Sequence, residues 1–321
     1  MRTGAAAGHR GYLHDAVCYS TDEEFLAVVV PFLTDGLAAG EPTFAVFGEE
    51  TNALLRSALP ANSGIRFAAG EQQYLRPAAA IKTYREMLAT LVAEGATQIR
   101  VAGEVPTAPA TWDGWCRYES AVNEAYDDFP LWGICTYDTR TTPAAVLADV
   151  ARTHPVFVGA DGGRLPSRDY LDPRSYLSRP RPVLRDPLHH AAPVCELIDP
   201  SAARARQAVY DADPGRLGAD DIDDLVIAVS ETVTNAMRHG RPPVRMRIWV
   251  AEERMLVSVT DAGPGPRDPM AGLLPRTDRP AGGLGLWITH QACSHVSFEQ
   301  QPDGYTVWLT AGDPHFDLQT V

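Results

Sequence analysis

Three short patterns in the second half of the chain carry residue types able to hold a metal ion, a base and a phosphate. In DIDDLVIAVSETVTNAMRHG, Glu231 and Asn235 stand four residues apart, which on a helix sets a carboxylate and a carboxamide one above the other. Such a pair can hold a divalent cation through oxygen while the carboxylate orients or deprotonates a nucleophile. A solvated polar face explains the pair as well, with Gly240 as the cap ending the helix. In VSVTDAGPG an apolar run ends at Asp261, followed by Gly263 and Gly265. The carboxylate can accept a hydrogen bond from an exocyclic amine such as adenine's, and the glycines let backbone approach a base closely. An Asx-type turn is the plainer alternative. In AGGLGLWITHQAC, Gly282, Gly283 and Gly285 precede a helical run, whose freed N-terminal amides and dipole favour phosphate.

These residues need a scaffold. At about 100° per residue, Ile222, Leu225, Val226, Val229 and Val233 form one apolar stripe, and Glu231 and Asn235 fall on the opposite side. Around that long helix, near 221–239, the order is VCELID, a helix near 201–212, strands VRMRIWV and MLVSVTD, a glycine-rich loop, a helix and two closing strands. Short turns such as AEER at 251–254 imply an antiparallel α+β sandwich. About twenty residues with five prolines separate Asp261 from Gly282, a length typical of a lid or a disordered loop. Earlier in the chain, TFAVFG, QIRVAGE and LWGICTYD alternate with helical patterns near 22–38, 78–94, 111–128 and 143–153, which predicts a mostly parallel α/β sheet. Between the halves, residues 172–193 hold five prolines and no sustained apolar period. They read as an extended, polyproline-like linker.

The 321 residues suggest two domains at about 100–200 residues each, and 45% hydrophobic residues suffice for real cores. A net charge of −13 repels phosphate backbones and anionic membranes, so neither nucleic acid nor membrane is an expected partner. The longest apolar run, Phe25 to Leu33, contains Pro31 and is far short of the roughly 20 residues that span a bilayer. The opening MRTGAAAGHR has no signal-like apolar core, so a cytoplasmic location is expected. Five scattered cysteines without a CxxC pair argue against a disulfide framework or zinc ribbon. The only lysine, Lys82, follows Ile81, which excludes a GxxxxGK[ST] phosphate loop.

In this order the three patterns resemble the GHKL (Bergerat) ATPase family over residues 194–321, and within it the anti-sigma-factor kinases of the serine kinase type. The resemblance implies a Bergerat α/β sandwich that binds ATP and Mg²⁺. By it, Asn235 binds Mg²⁺, Glu231 is the general base for a protein serine, and Asp261 contacts adenine beside Gly263 and Gly265. Gly283 and Gly285, with Leu284 between them, touch phosphates, and Thr306 in the closing GYTVWLT makes a water-mediated adenine contact. The chain departs from such kinases in one place. Pro280 and Ala281 stand where an arginine can precede the second glycine box, leaving Arg279 or Arg276 to reach the γ-phosphate. No histidine-bearing dimerisation helix pair precedes the linker, which counts against a sensor histidine kinase.

Residues 10–172 resemble the MEDS domain, a sensory module with a RecA-like, mostly parallel α/β fold. The likeness rests on HDAVCYSTDEEFLAVVVPFLTDGLAAGEP, GEV at 103–105, WCRYESAVNEAY, LWGICTYDTR and RTHP. Its motif residues are His14, Tyr19, Glu104, Tyr118, Glu119, Asn123, Cys135, Tyr137, Asp138 and His154. In such a sheet a ligand is expected beyond the carboxyl ends of the strands, where Glu104, Tyr137 and Asp138 emerge. Hydrogen-bonded core or rim positions explain the same residues, and Cys18 with Cys135 raises a redox or metal sensor as a further option. The two halves together, joined by a 173–193 linker, look like the RsbA family of anti-sigma regulators. That resemblance implies a small-molecule signal at the first domain and sequestration of an alternative sigma factor. It also implies phosphorylation of Ser/Thr on an anti-anti-sigma (STAS-type) protein, and a homodimer through the kinase domain. A non-catalytic nucleotide-binding sequestration module is the alternative.

Overall fold

A computed structural model describes residues 2–60, 62–74, 76–181, 185–275, 284–314 and 316. The chain divides into two units, Met1–Arg179 and Pro180–Val321.

The first unit is built on a seven-stranded sheet of order β3-β2-β4-β5-β1-β6-β7. Its strands are β1 (Leu13–Tyr19), β2 (Thr43–Phe47), β3 (Arg66–Ala69), β4 (Ile99–Gly103), β5 (Leu131–Asp138), β6 (Val156–Val158) and β7 (Arg164–Pro166). Only β6 and β7 pair antiparallel. The helices are α1 (Asp22–Ala38), α2 (Glu49–Ala58), α3 (Gly70–Gln73), α4 (Pro77–Ala93), α5 (Trp112–Ala125), α6 (Ala144–Thr153) and α7 (Pro173–Leu177). α1 starts where Thr21 accepts a hydrogen bond from the Glu24 amide and three acidic residues fill the first turn, the charge that a helix N-terminus favours. Phe25, Val29 and Leu33, one turn apart, are at most 1% exposed and join Phe47 and Leu55 in the core. Each such side chain contributes about 1.5–3 kcal/mol by leaving water. The carboxyl ends of β1, β2, β4 and β5 then lie along one edge, where Tyr19, Glu104, Tyr137 and Asp138 emerge.

In the second unit the antiparallel sheet runs β11-β12-β10-β9-β8, from β8 (Cys195–Ile198), β9 (Arg245–Val250), β10 (Arg254–Asp261), β11 (His295–Gln301) and β12 (Gly304–Gly312). Helices α8 (Ala202–Ala212), α9 (Ala219–His239) and α10 (Gly285–Ala292) complete it. Every residue of the expected α9 stripe is buried, against Met246 and Ile248 of β9, Met255, Val257 and Val259 of β10, and Val307 and Leu309 of β12. Alternate residues of each strand therefore face the helices, and the others face away.

The 172–193 tract is not extended throughout, because its Asp-Pro pairs cap short helices rather than prolong polyproline. Asp172 accepts from the Ser175 amide and Pro173 opens α7, whose Tyr176 and Leu177 are buried in the first unit. Asp186 likewise caps a 3-10 turn, Pro187–His190. In the second unit Arg254 donates to Asp186 at 2.6 Å, and Trp249 Nε1 donates to the Ala191 carbonyl at 2.9 Å.

Candidate functional site

In the second unit, α10 begins against the polar side of α9. A methyl group on Gly285 would fall 2.7 Å from Glu231 Oε2 and 2.8 Å from Asn235 Nδ2, so this approach requires glycine. Both side chains are partly exposed, and among the described residues neither has a hydrogen bond or ion pair. A carboxylate and a carboxamide thus stand available beside the first turn of a helix, with Leu284 at the N-cap, 42% exposed.

Asp261 ends β10 at 8% exposure. Its Oδ1 accepts from the Gly263 amide at 2.6 Å and from the Arg241 amide at 3.1 Å. The first of these is the Asx-type turn, and it occupies one oxygen; no described group donates to Oδ2. Gly240 and Gly263 hold the carboxylate closely, since a methyl on either would come within 2.3 and 2.6 Å of it. Gly265 has φ +73° and packs under the Tyr305 ring. These donors fit a magnesium nucleotide: two unpartnered oxygen-bearing groups, one spare carboxylate oxygen and a helix N-terminus.

Thr306 stands apart from the Asp261 carboxylate. β10 pairs with β12 so that Asp261 faces Tyr305 and Thr260 faces Thr306. Directly opposed residues share a sheet face and successive residues alternate, so Thr306 lies on the opposite face from Asp261. Its hydroxyl bonds Thr260 Oγ1 at 2.8 Å and it is 1% exposed. Tyr305, not Thr306, shares the face of Asp261. In the loop after Asp261, Met270 and Leu273 are buried and Gly272, at φ +86°, packs against His290 of α10. Gly283, Arg279 and Arg276 lie outside the described residues.

In the first unit the motif residues form two groups. Glu104, Tyr137 and Asp138 line a cleft of about 240 Å³ at the carboxyl ends of β2, β4 and β5, with Gly48, Gly70 and Tyr74. Glu104 Oε1 accepts from the Gly48 amide at 2.8 Å, and Asp138 is forked by Arg140, which holds its carboxyl below the usual range. Tyr19 packs on Phe25, and the Tyr118 hydroxyl meets that of Tyr126 at 3.3 Å.

The other group is buried apart from Cys135, which is half-buried. His14 Nε2 stands 3.2 Å from Glu119 Oε2 and 3.3 Å from Cys135 Sγ, and His154 Nε2 is 3.3 Å from Glu119 Oε2. Glu119 and Asn123, one turn apart on α5, both reach it: Asn123 Oδ1 is 3.1 Å from His14 Nδ1. Burial, then the neighbouring His154, pushes His14 down toward neutral imidazole, and burial with the Glu119 charge pushes the Cys135 thiol up. Burial acts upward on the Glu119 carboxyl, and imidazole N–H groups turned toward it would act downward. Cys18 is exposed and is not among the converging groups, so the thiol here is Cys135 alone. The tyrosines 12, 74, 84 and 126, which sequence spacing does not single out, line a cavity of about 30 Å³ beside His14, Glu119 and Cys135.

Residues 13–155 match the model of the MEDS family, described as the MEthanogen/methylotroph, DcmR Sensory domain. Residues 198–311 match the Histidine kinase-like ATPase domain. The chain is 35% identical over 107 residues to the serine-protein kinase RsbW of Bacillus velezensis, and 36% identical over 104 residues to that of Bacillus licheniformis. Each match takes in 28% of this chain and 64% of the relative, so the chain spans less than two thirds of either relative's length. The crystal structure of the RsbU and RsbW domains of Rv1364c from Mycobacterium tuberculosis aligns at 23% identity and a TM-score of 0.27, covering 38% of this chain and 33% of that one. Among the described residues no helix is long and apolar enough to cross a membrane.

Proposed function

For a chain that joins a MEDS domain to a histidine kinase-like ATPase domain, we propose a cytoplasmic, signal-responsive anti-sigma regulator. Its second unit binds ATP and Mg²⁺, sequesters an alternative sigma factor and phosphorylates a serine or threonine of a STAS-type anti-anti-sigma protein. The observation that carries this reading is the Glu231–Asn235 pair, without side-chain partners among the described residues, held against Gly285 at the start of α10 within a segment resembling a serine-protein kinase.

Bound Mg·ATP supplies the phosphoryl donor. Asn235 gives an oxygen to the cation, and the first turn of α10 offers its amides to phosphate. Asp261 Oδ2 accepts from the adenine amine while Oδ1 stays with the Gly263 and Arg241 amides. Glu231 takes the hydroxyl proton as the protein oxygen forms its bond to the γ-phosphorus and the bond to ADP breaks. Phosphorylation adds up to about two negative charges to the partner, enough to break a docking surface by repulsion. Partner exchange follows from that repulsion. The signal for the first unit is a small molecule in the cleft lined by Glu104, Tyr137 and Asp138.

A second reading, nucleotide binding and sequestration without transfer, is favoured by Pro280 and Ala281 in place of an arginine. Calorimetric titration with ATP and Mg²⁺ tests the site first, comparing the parent with Asp261→Asn and Asn235→Ala. Saturable, magnesium-dependent binding lost in both variants supports the site, and no binding by the parent overturns it. Transfer of ³²P from ATP to a STAS-type protein then separates kinase from binder. Binding without transfer selects sequestration alone.

A further inference from the structure

We propose that His14, Glu119, Cys135 and His154 form a buried site for one divalent transition-metal ion of the zinc class in the first unit. Their donor atoms all lie within 4.8 Å of one another although they come from β1, α5, β5 and the end of α6. Zinc bonds of about 2.0–2.1 Å to nitrogen and about 2.3 Å to sulfur set tetrahedral donor separations of about 3.3–3.6 Å. The observed pairs stand at 3.2, 3.3 and 3.3 Å, with Cys135 Sγ 3.8 Å from Glu119 Oε2. Small side-chain adjustments suffice to close the remainder around an ion.

The outer hydrogen bonds fix which nitrogens face inward. Asn123 Nδ2 donates to the carbonyls of Glu119, Ser120 and Thr153 at 3.0, 3.2 and 2.9 Å, which leaves Oδ1 turned toward His14. His14 Nδ1 therefore donates to Asn123, and its Nε2 lone pair points into the cluster. His154 repeats the arrangement, with Nδ1 donating to the Val150 carbonyl at 3.1 Å. These tautomers follow from the network of acceptors. Two imidazole lone pairs thus face a carboxylate, and the Cys135 thiol is the one group among the four with a proton to give. His154 Nε2 and Glu119 Oε1 are left without a hydrogen bond in residues that are 0% exposed. An imidazole anchored through Nδ1 and bare at Nε2, as that of His154 is, is what a metal-binding histidine displays, while the His14 Nε2 meets Cys135 Sγ.

Charge argues the same way. A dication with one carboxylate and one thiolate leaves the buried site neutral, whereas the carboxylate alone is an unpaired buried charge. Nitrogen, oxygen and sulfur together suit zinc rather than magnesium or calcium. Cys135, His14 and Asn123 also line up as thiol, imidazole and carboxamide, the order of a nucleophilic triad. The carboxylate 3.8 Å from the sulfur opposes a free thiolate, and neither Glu119 nor His154 has a part in a triad. Four protein donors make a closed, structural type of site.

The test uses the full chain, stripped with a chelator and titrated with Co²⁺ while its absorption spectrum is recorded. The expected result is about one tightly bound ion showing tetrahedral ligand-field bands and thiolate-to-cobalt charge transfer, displaced by zinc. Cys135→Ser should abolish the charge-transfer band, and Asn123→Ala should weaken affinity about 10–100-fold. Absence of that band in the parent overturns the proposal and leaves a cluster closed by protons alone. Persistence of the band in folded Cys135→Ser overturns it too, by assigning the metal to another thiol.

Discussion

Gly285 lies so close to Glu231 that a single added methyl would sit 2.7 Å from the Oε2 atom of the carboxylate. Gly285→Ala therefore pushes aside flexible side-chain ends, not backbone. Gly285 is the first residue of α10 and not at positive φ, so alanine adds no backbone strain and the melting temperature should hold. Affinity for Mg·ATP should fall at least about tenfold, the equivalent of ~1.4 kcal/mol. Calorimetry on the folded variant checks this, and unchanged affinity would remove the glycine from the site.

Asp261 offers two separable functions on one side chain. Asp261→Asn keeps an oxygen for the Gly263 and Arg241 amides, so stability should change little while nucleotide binding is lost. Asp261→Ala strands both amides, at about 1–3 kcal/mol each. Denaturant unfolding and nucleotide titration of the two variants should thus rank them differently.

Glu231→Gln preserves shape and removes the carboxylate proposed as the base. Binding of Mg·ATP should persist, while phosphoryl transfer should drop by about 10²–10⁴. Transfer at the parent rate would show that Glu231 does not carry the proton.

Arg100 sits 3% exposed, donating from Nε to Glu41 at 2.6 Å and from Nη1 to the Phe32 carbonyl at 2.8 Å, over the Trp132 ring. Arg100→Met leaves Glu41 buried without its cation, which should cost about 3–5 kcal/mol in urea unfolding. Adding Glu41→Gln should recover part of the loss.

Asp138 titrates below its ordinary 3.8 because Arg140 donates to both of its oxygens. A depressed carboxyl contributes stability above its unfolded pKa and loses it as pH falls through the folded one. Carboxyl NMR should place the midpoint of Asp138 below 3.8 in the parent and return it toward that value in Arg140→Ala.

Much of the second unit was legible because its signals are local. The α9 stripe, the Asp261 strand end and the glycine that opens α10 each follow from a period or turn rule that neighbouring residues enforce. The 172–193 tract misled because Asp-Pro marks an N-cap and first helical position as readily as an extended chain, and Asp172 and Asp186 take the former role. Thr306 misled for another reason. A shift of one residue in strand register exchanges the two faces, and only the pairing of Asp261 with Tyr305 decides which residue stands beside the carboxylate.

The sequence by itself determined the two-part organisation, the parallel and antiparallel character of the two sheets, and which residue types are able to carry chemistry. Tertiary structure alone decided which of those residues meet. His14 and Cys135 are 121 positions apart and become neighbours because β1 pairs with β5; Glu119 joins them from α5, and His154 from the end of α6. Periodicity reports only which way a side chain faces within its own element. Convergence of four donors depends on how separate elements pack, which is set by the summed burial of a whole core and not by any local run of residues.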